Sequence, residues 1–257
     1  MALLEAQNCT VRFGGLTALS GFTFMMEQGE LVGLIGPNGA GKTTFFNMLT
    51  GLCRPAEGSL HFEGKDLINL PPNARTHLGL ARTFQNIRLF ANLSVLDNVR
   101  VACAHSPRYG LARAILQTPL GLAEEARIHD RAMKLLETFG LEKHHALPAR
   151  NLPYGEQRRL EIARALATNP KLLLLDEPAA GMNPFETQEL MRLIRNIREQ
   201  FNLTVLLIEH DMRLVMGICE RVVVLDHGVE IAAGTPEEIR RNPKVIEAYL
   251  GETDVER

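Results

Sequence analysis

Residues 36–44 have the sequence Gly36-Pro37-Asn38-Gly39-Ala40-Gly41-Lys42-Thr43-Thr44, which fits the pattern GxxxxGK followed by Ser or Thr. The glycines of such a loop let successive backbone N–H groups turn inward around phosphate oxygens. Lys42 adds a positive charge near the β and γ phosphates, and the Thr43 hydroxyl suits Mg²⁺. The stretch therefore predicts that the chain binds a nucleoside triphosphate through these residues.

The segments on either side of this loop fit the same prediction. Residues 31–35, Leu-Val-Gly-Leu-Ile, predict a buried strand that enters the loop, and residues 44–49 predict a helix that leaves it. The N-terminus of such a helix points its N–H groups and the positive end of its dipole at the phosphates. The alternative, a glycine-rich turn that matches by chance, is set aside.

The composition is that of an ordinary soluble globular protein. The chain has 257 residues, 46% of them hydrophobic, which is enough to bury a full core. Its 28 Lys and Arg nearly cancel its 30 Asp and Glu, so we expect no nucleic-acid partner. Its cysteines are far apart without a CxxC pair, which disfavours a metal site or disulfide framework and favours a reducing cytosol. Without a long apolar run or a basic N-terminal segment, we expect neither a membrane span nor a secretion signal.

Short apolar runs downstream of the loop indicate a parallel sheet. Runs at residues 172–175, 205–208 and 222–225 are bounded by charged residues, as expected of buried strands. Between residues 187 and 200, four apolar side chains recur at helical spacing and predict a crossover helix between two of these strands: Leu190, Leu193, Ile194 and Ile197. The predicted fold class is therefore α/β, with a central, mainly parallel sheet.

Two further regions differ from this core. Residues 1–28 predict alternating strands with a turn at Gly14-Gly15, which gives an N-terminal antiparallel β subdomain. Residues 87–168 have few strand-like runs and several helical ones, notably 122–139 and 156–167, so we expect an inserted helical subdomain. Within it, residues 106–121 contain several Pro and Gly and predict a loop with short helical turns.

Acidic residues and a histidine follow the predicted strands. Asp176 ends the strand at 172–175, where a carboxylate suits Mg²⁺ binding through its water shell. Glu177 comes next, where a second carboxylate would orient or deprotonate an attacking water. A solvated acidic pair is the alternative interpretation. His210 follows the strand at 205–208 and would contact the γ phosphate as a neutral donor, although a structural histidine is an equally good interpretation from the residues alone.

These motifs resemble, in order and spacing, those of the nucleotide-binding subunits of ABC transporters, and the resemblance covers almost the whole chain. GPNGAGKTT resembles the Walker A motif, and LLLLDEP resembles the Walker B motif with its catalytic glutamate. Residues 82–85, Arg-Thr-Phe-Gln, resemble the Q-loop, and residues 209–211, Glu-His-Asp, resemble the switch-histidine segment. Residues 152–157, Leu-Pro-Tyr-Gly-Glu-Gln, resemble the ABC signature at the start of its helix.

The resemblance implies a P-loop NTPase fold of the ABC ATPase type and a single ABC ATPase domain over residues 1–257. Residues 1–86 and 169–257 would form a RecA-like core with the β subdomain, and residues 87–168 would form the helical subdomain that carries the signature. ATP and Mg²⁺ are the implied cofactors.

The resemblance also assigns roles to individual residues. Glu177, His210 and Gln85 would be catalytic, and Thr43, Gln85 and Asp176 would hold Mg²⁺. Phe13 would stack on the adenine, although a core Phe is as good an interpretation from the residues alone.

Three signature residues would act across a dimer, because in this family the signature of one chain closes over the phosphates held by the other. They are Tyr154, Gly155 and Glu156.

Two residues depart from the family pattern. Where the signature usually has Ser, this chain has Pro153, which offers the partner's γ phosphate neither a hydroxyl nor an N–H; its structural interpretation is a helix start. Where the family usually has Asp after Walker B, this chain has Asn183, whose structural interpretation is an N-cap with Pro184 at N1 and Glu186 at N3. We therefore expect the two half-sites of the working dimer to be unequal.

Finer details resemble one branch of the family, the ATP-binding subunits of bacterial branched-chain amino acid importers. They are residues 81–90, the Tyr-Gly of the signature, residues 177–184 and the ending from residue 234 to residue 251. The implied partners are a second ABC ATPase subunit in a homo- or heterodimer, two transmembrane permeases and, indirectly, a periplasmic solute-binding protein. The implied location is peripheral, on the cytoplasmic face of the bacterial inner membrane.

Other assignments stay open at this point. A urea or short-amide importer is the runner-up, and a lipopolysaccharide-extraction ATPase is a more distant relative. A soluble non-transport ABC ATPase would predict a tandem second cassette or a long coiled-coil insertion, and the sequence has neither. A GTPase is disfavoured because no NKxD segment is present to read guanine.

Overall fold

The computed structural model describes residues 2–104 and 119–253 of the chain. The excursion predicted at residues 106–121 lies mostly outside the described residues. The chain forms two compact units, one of residues 1–82 with 171–257 and one of residues 83–170. No helix in the described ranges is both long and apolar enough to span a membrane.

The elements of the described residues are as follows. The strands are β1 (Ala2–Phe13), β2 (Leu16–Glu27), β3 (Leu31–Ile35), β4 (Glu57–Phe62), β5 (Lys65–Asp66), β6 (Leu80–Arg82), β7 (Leu172–Asp176), β8 (Thr204–Ile208), β9 (Arg221–Asp226) and β10 (Val229–Gly234). The helices are α1 (Lys42–Thr50), α2 (Pro72–Leu78), α3 (Val95–Cys103), α4 (Pro119–Thr138), α5 (Tyr154–Ala167), α6 (Pro184–Phe201), α7 (Met212–Ile218), α8 (Pro236–Arg240) and α9 (Pro243–Thr253). Helices α3, α4 and α5 belong to the second unit.

The larger sheet of the first unit has the strand order β10-β9-β3-β8-β7-β6. Its strands pair in parallel, except that β10 is antiparallel to β9. Every residue of β3, β7 and β8 is buried, which explains why these strands are apolar except for Asp176 at the end of β7 and Thr204 at the start of β8. The predicted α/β fold with a mainly parallel sheet is confirmed.

The parallel pairing decides where the polar motifs lie. Because the carboxyl ends of parallel neighbours meet at one edge, the loop after β3, the end of β7 and the segment after β8 share that edge. Asp176 lies directly opposite Ile208 in the register of β7 and β8. The sheet thus gathers residues that are far apart in the chain.

The smaller sheet has the strand order β2-β1-β4-β5 and is antiparallel throughout. Phe13 pairs with Leu16 at the end of the first hairpin, so the predicted turn at Gly14-Gly15 is confirmed. Rings of this sheet hold α1 in place, since the centroids of Phe22 and Phe45 are 5.0 Å apart in an edge-to-face arrangement. The helix that follows the phosphate loop is therefore fixed by an aromatic core.

Helix α6 is the predicted crossover, and it begins earlier than the apolar spacing alone suggests. It begins at Pro184 because Asn183 forms a capping box with Glu186, as the residue pattern predicts. The Asn183 Oδ1 accepts hydrogen bonds of 3.0 Å from the backbone N–H groups of Phe185 and Glu186. The Glu186 carboxylate accepts one of 3.0 Å from the Asn183 N–H.

The described part of the second unit is helical, as predicted for the runs at 122–139 and 156–167. Helix α3 packs against both α4 and α5. Ser94 caps α3 by accepting a 3.0 Å hydrogen bond from the Asp97 N–H. Helix α4 begins before the predicted run, at Pro119, and α5 begins at Tyr154.

Candidate nucleotide-binding site

The loop between β3 and α1 has a backbone that requires glycine at two positions. Gly36 has φ 147°, and a Cβ at this position would lie 1.9 Å from the carbonyl oxygen of Leu225. Gly41 has φ 105°, and a Cβ there would lie 2.6 Å from the carbonyl oxygen of Ala18. Any side chain at either position would displace the loop.

The loop leads directly into the N-terminus of α1. The helix begins at Lys42 with Gly41 as its N-cap, and glycine has no side chain to accept hydrogen bonds from the first amides. The Phe45 N–H donates to the Gly41 carbonyl at 2.9 Å, which is the first bond of the helix. A helix start that lacks a capping side chain suits an anion such as a phosphate.

Lys42 lies inside the loop rather than in solvent. The residue is only 9% exposed, and its Nζ donates to the carbonyls of Gly36 at 2.5 Å and Pro37 at 2.7 Å. The ammonium therefore lies against the backbone of the loop, at the start of α1. This combination of a buried cation, tight glycines and a helix N-terminus fits the phosphates of a nucleotide.

The carboxylate of Asp176 is held by an arginine. It is 6% exposed, and its Oδ2 accepts a 2.7 Å hydrogen bond from the Nη2 of Arg82, which is 5% exposed. The Arg82 Nη1 donates to the Oδ1 of Asn47 at 2.8 Å, and Asn47 lies on α1. Asp176 is thus connected to the helix that follows the phosphate loop. In residues 82–85 the sequence motif assigns a role only to Gln85, so the contact between Arg82 and Asp176 was not predicted.

Glu177 and His210 are brought close together. The His210 Nδ1 lies 3.6 Å from the Glu177 Oε2, and the histidine side chain is 66% exposed. Glu177 has φ 45°, a left-handed conformation that is unfavourable for a residue with a side chain. Its N–H donates to the Ile208 carbonyl at 2.9 Å, which ties the end of β7 to the end of β8. A strained backbone at such a place is typical of a functional site.

Glu209 also lies in this region. The sequence motif includes it only as the residue before His210, and no role was predicted for it. Its carboxylate is buried and accepts hydrogen bonds from three backbone N–H groups, those of Ala179 at 2.8 Å, His210 at 3.0 Å and Asp211 at 3.3 Å. Burial raises the pKa of this carboxyl, and the three N–H groups oppose that shift. Glu209 therefore joins the loop after β7 to the loop after β8. The signal available in the sequence was an acidic residue directly after the apolar run at residues 205–208.

Phe13 lies at the end of β1 with half of its surface exposed, 50%. The alternative interpretation, a core phenylalanine, is therefore wrong. An exposed ring at a strand end is available to stack on a flat ligand.

The signature residues and Gln85 belong to the second unit, whereas the phosphate loop, Phe13, Asp176, Glu177 and His210 belong to the first. Tyr154, Gly155 and Glu156 form the first turn of α5. Pro153 is the N-cap of α5, one residue before the helix, and so does not occupy the first helical position. The Glu156 Oε2 lies 2.8 Å from the Nδ1 of His144.

Comparison with known families agrees with this geometry. The family model for ABC transporters matches residues 19–180. A second model, for branched-chain amino acid ATP-binding cassette transporters, matches residues 230–255.

Individual relatives match over nearly the full length. The high-affinity branched-chain amino acid transport ATP-binding protein LivG of Salmonella typhimurium is 49% identical over 97% of this chain and 98% of its own length. The corresponding protein BraF of Pseudomonas aeruginosa is 46% identical over the same shares of the two chains.

Two solved structures have the same fold. The ADP conformation of MJ1267, an ATP-binding cassette of an ABC transporter, has a TM-score of 0.85 and 31% identity, covering 98% of this chain and 99% of its own. A dimeric post-hydrolysis state of the cassette MJ0796, bound to ADP and Pi, has a TM-score of 0.76 and 25% identity, covering 91% and 98%. The chain therefore belongs to the ABC transporter family, as one of its ATP-binding and ATP-hydrolysing proteins.

Proposed function

We propose that this chain is the ATP-hydrolysing subunit of a bacterial importer for branched-chain amino acids. The observation that carries the choice of solute is the match of residues 230–255 to the branched-chain family model. In this region lie β10, α8 and α9, which follow the motifs of the nucleotide site. A match here distinguishes branches of the family, because it does not depend on the phosphate loop that all of them share.

Binding of ATP rests on the phosphate loop. The amides at the start of α1 and the Lys42 ammonium would bind the β and γ phosphates, together with the other residues of the loop from Gly36 to Thr44. The exposed Phe13 ring would stack on the adenine. Bound Mg²⁺ supplies positive charge against the phosphate oxygens, and Thr43, Asp176 and Gln85 would hold it.

Glu177 is the proposed general base. Its carboxylate would orient a water molecule and take its proton as the water attacks the γ phosphate. His210, whose Nδ1 lies 3.6 Å from the Glu177 Oε2, would hold the base and donate to the γ phosphate. Gln85 would contact the same water and would couple the nucleotide site to the membrane subunit.

A second ATPase subunit completes the proposed site. The signature residues Tyr154, Gly155 and Glu156 would cover the phosphates bound by the partner, with the helix start of α5 supplying amides. Pro153 at the N-cap has no hydroxyl for this contact, so a site completed by this chain has fewer donors. We therefore propose that the two half-sites of the dimer are unequal.

The dimer would act on two transmembrane permeases at the cytoplasmic face of the inner membrane, and a periplasmic solute-binding protein would deliver the amino acid. The test is expression of this chain with the two permeases of a branched-chain amino acid importer from the same organism, followed by purification through a tag on one permease. We expect this chain to copurify, and we expect the ATPase rate of the complex to rise when binding protein loaded with leucine is added.

Binding protein loaded with urea or a short amide is the matched comparison. Stimulation by the amide rather than by leucine would contradict the proposed solute. Failure to copurify with any permease, with undiminished ATP hydrolysis by the chain alone, would contradict the transport role and favour a soluble ABC ATPase.

A further inference from the structure

Helix α5 carries an ion pair that is completely removed from solvent. The Nη1 of Arg158 lies 2.9 Å from the Oε2 of Glu161, and the two side chains are 0% and 2% exposed. Burial of two charges is expensive, and such a pair is often replaceable by apolar side chains without loss of stability. Its presence therefore calls for an explanation other than stability.

Arg158 directs its guanidinium at the backbone around Gln85. Its Nη1 donates to the Phe84 carbonyl at 2.6 Å, and its Nη2 donates to the Gln85 carbonyl at 2.6 Å. The Nη2 also lies 3.3 Å from the hydroxyl of Tyr154, a residue of the signature. One side chain thus contacts both motifs of the second unit.

Glu161 contacts the same segment with the opposite polarity. Its Oε1 accepts hydrogen bonds from the Phe84 N–H at 3.5 Å and from the Arg88 N–H at 3.1 Å. The acid therefore binds backbone donors while the base binds backbone acceptors. An apolar pair could fill the same volume but would lose these hydrogen bonds to the main chain.

We propose that Arg158 and Glu161 are positioning residues that fix residues 84–88 to the signature helix, so that Gln85 and α5 move as one body. A displacement of Gln85 alone would break the hydrogen bonds of its own carbonyl and those of its neighbours. If Gln85 and α5 move together, these hydrogen bonds are preserved. The ion pair thereby transmits the state of the Gln85 segment to the signature that faces the partner's nucleotide. This inference rests on the proposed roles of Gln85 and the signature in an assembled importer.

The variants separate stability from positioning. Arg158→Met alone leaves a buried carboxylate and should unfold at a lower temperature than the wild type. The double variant Arg158→Met with Glu161→Met removes both charges and should recover part of that loss, because the unpaired buried charge is gone while the hydrogen bonds to the main chain are still missing. The matched control replaces Glu189 and Arg192 by Met, because these residues form an exposed pair of the same spacing, 48% and 69% exposed, on α6. The control should match the wild type in every measurement.

The first readout is hydrogen exchange of single amides in the full chain. In the double variant we expect the amides of Phe84 and Arg88 to exchange about tenfold faster than in the wild type, while the core amide of Leu206 in β8 is unchanged. Unchanged exchange at Phe84 and Arg88 would overturn the proposal. An equal increase at Leu206 would do so as well, because it would show a global loss of stability.

The second readout is the ratio of leucine-stimulated to unstimulated ATPase rate in the assembled complex. We expect this ratio to fall to about one in the double variant and to stay at the wild-type value in the control pair. A wild-type ratio in the double variant would overturn the transmission role. If the wild-type complex itself shows no stimulation, the proposed solute fails, and the exchange measurement still decides the positioning role.

Discussion

The Nη2 of Arg82 donates a 2.7 Å hydrogen bond to the Oδ2 of Asp176, and both side chains are almost completely buried. The same guanidinium lies 5.4 Å from the ring centroid of Phe46 and donates hydrogen bonds to Asn47 and to the Thr50 hydroxyl, so it contacts three residues of α1. The carboxylate proposed to hold Mg²⁺ is therefore oriented by a cation that is itself anchored on the helix of the phosphate loop.

Replacing Arg82 by Met should destabilise the protein through Asp176. A buried carboxylate that loses its partner costs about 3–5 kcal/mol, and the melting temperature without nucleotide should fall accordingly. The thermal shift on adding ATP should also need more Mg²⁺, because Asp176 loses the hydrogen bond by which Arg82 orients it. Scanning calorimetry over a Mg²⁺ series measures both effects. An Arg82→Met variant with the wild-type melting temperature would contradict this account. The double variant Arg82→Met with Asp176→Asn should regain melting temperature, but it should still need more Mg²⁺ than the wild type for the shift on adding ATP.

Glu177→Gln should stop hydrolysis while ATP still binds. The amide cannot accept the proton of the attacking water, and loss of a general base typically lowers the rate by about 10²–10⁴-fold. ATP affinity by equilibrium binding and single-turnover hydrolysis together check this prediction. Glu199→Gln, at an exposed position of α6, is the control that should hydrolyse at the wild-type rate. Undiminished turnover of Glu177→Gln would remove Glu177 from the role of base.

Gly36→Ala should abolish ATP binding, because the new Cβ would lie 1.9 Å from the carbonyl oxygen of Leu225. Gly64→Ala is the matched control, since Gly64 also has a positive φ, 72°, but no atom within 4 Å of a Cβ. Gly64→Ala should lower the free energy of unfolding only by the strain of a left-handed backbone, roughly 1–2 kcal/mol, and should leave ATP affinity unchanged. Equilibrium binding of a fluorescent ATP analogue distinguishes the two. Wild-type affinity in Gly36→Ala would show that the loop tolerates displacement.

Asn183→Ala should remove the capping box of α6 and lower the free energy of unfolding by about 1 kcal/mol. Thr235→Ala removes a capping box of the same kind from α8 and should cost a similar amount. If Asn183 also contacts the partner subunit's site, only Asn183→Ala should lower ATP hydrolysis in the assembled complex. Equal ATPase rates in the two variants would restrict Asn183 to a structural role.

Glu209 should make stability depend on pH. Burial raises the pKa of its carboxyl above the ordinary value, so the folded protein binds this proton more tightly than the unfolded chain does. Glu209 therefore contributes stability at low pH, and the contribution is lost as pH rises through the folded pKa. Relative to Glu209→Gln, which does not titrate, the wild type should gain in melting temperature as the pH falls through the raised pKa toward the ordinary carboxyl value of 4.5. A difference that is independent of pH would contradict the raised pKa.

Much of the fold followed from local patterns. The strands at 172–175 and 205–208 were predictable because a strand covered on both faces is apolar at every position. The start of α6 was predictable because Asn183, Pro184 and Glu186 act within one turn. The common edge of Asp176 and His210 followed from parallel pairing alone.

The contacts that organise the candidate site were not predictable, because they join residues that are distant in sequence. Arg82 and Arg158 are charged and would be taken for exposed residues, yet both side chains are buried. They bind partners that are distant in sequence: Asp176 for Arg82, and Phe84 and Gln85 for Arg158. The exposure of Phe13 likewise depends on where its strand ends in the sheet.

The most direct test of the central claim is uptake of labelled leucine by proteoliposomes that contain this chain, its permeases and the binding protein, with ATP supplied on the side of this chain. We predict ATP-dependent leucine accumulation with the wild-type chain and none with Glu177→Gln. Uptake that persists in Glu177→Gln, or a complex that carries urea or an amide but no leucine, would contradict the account.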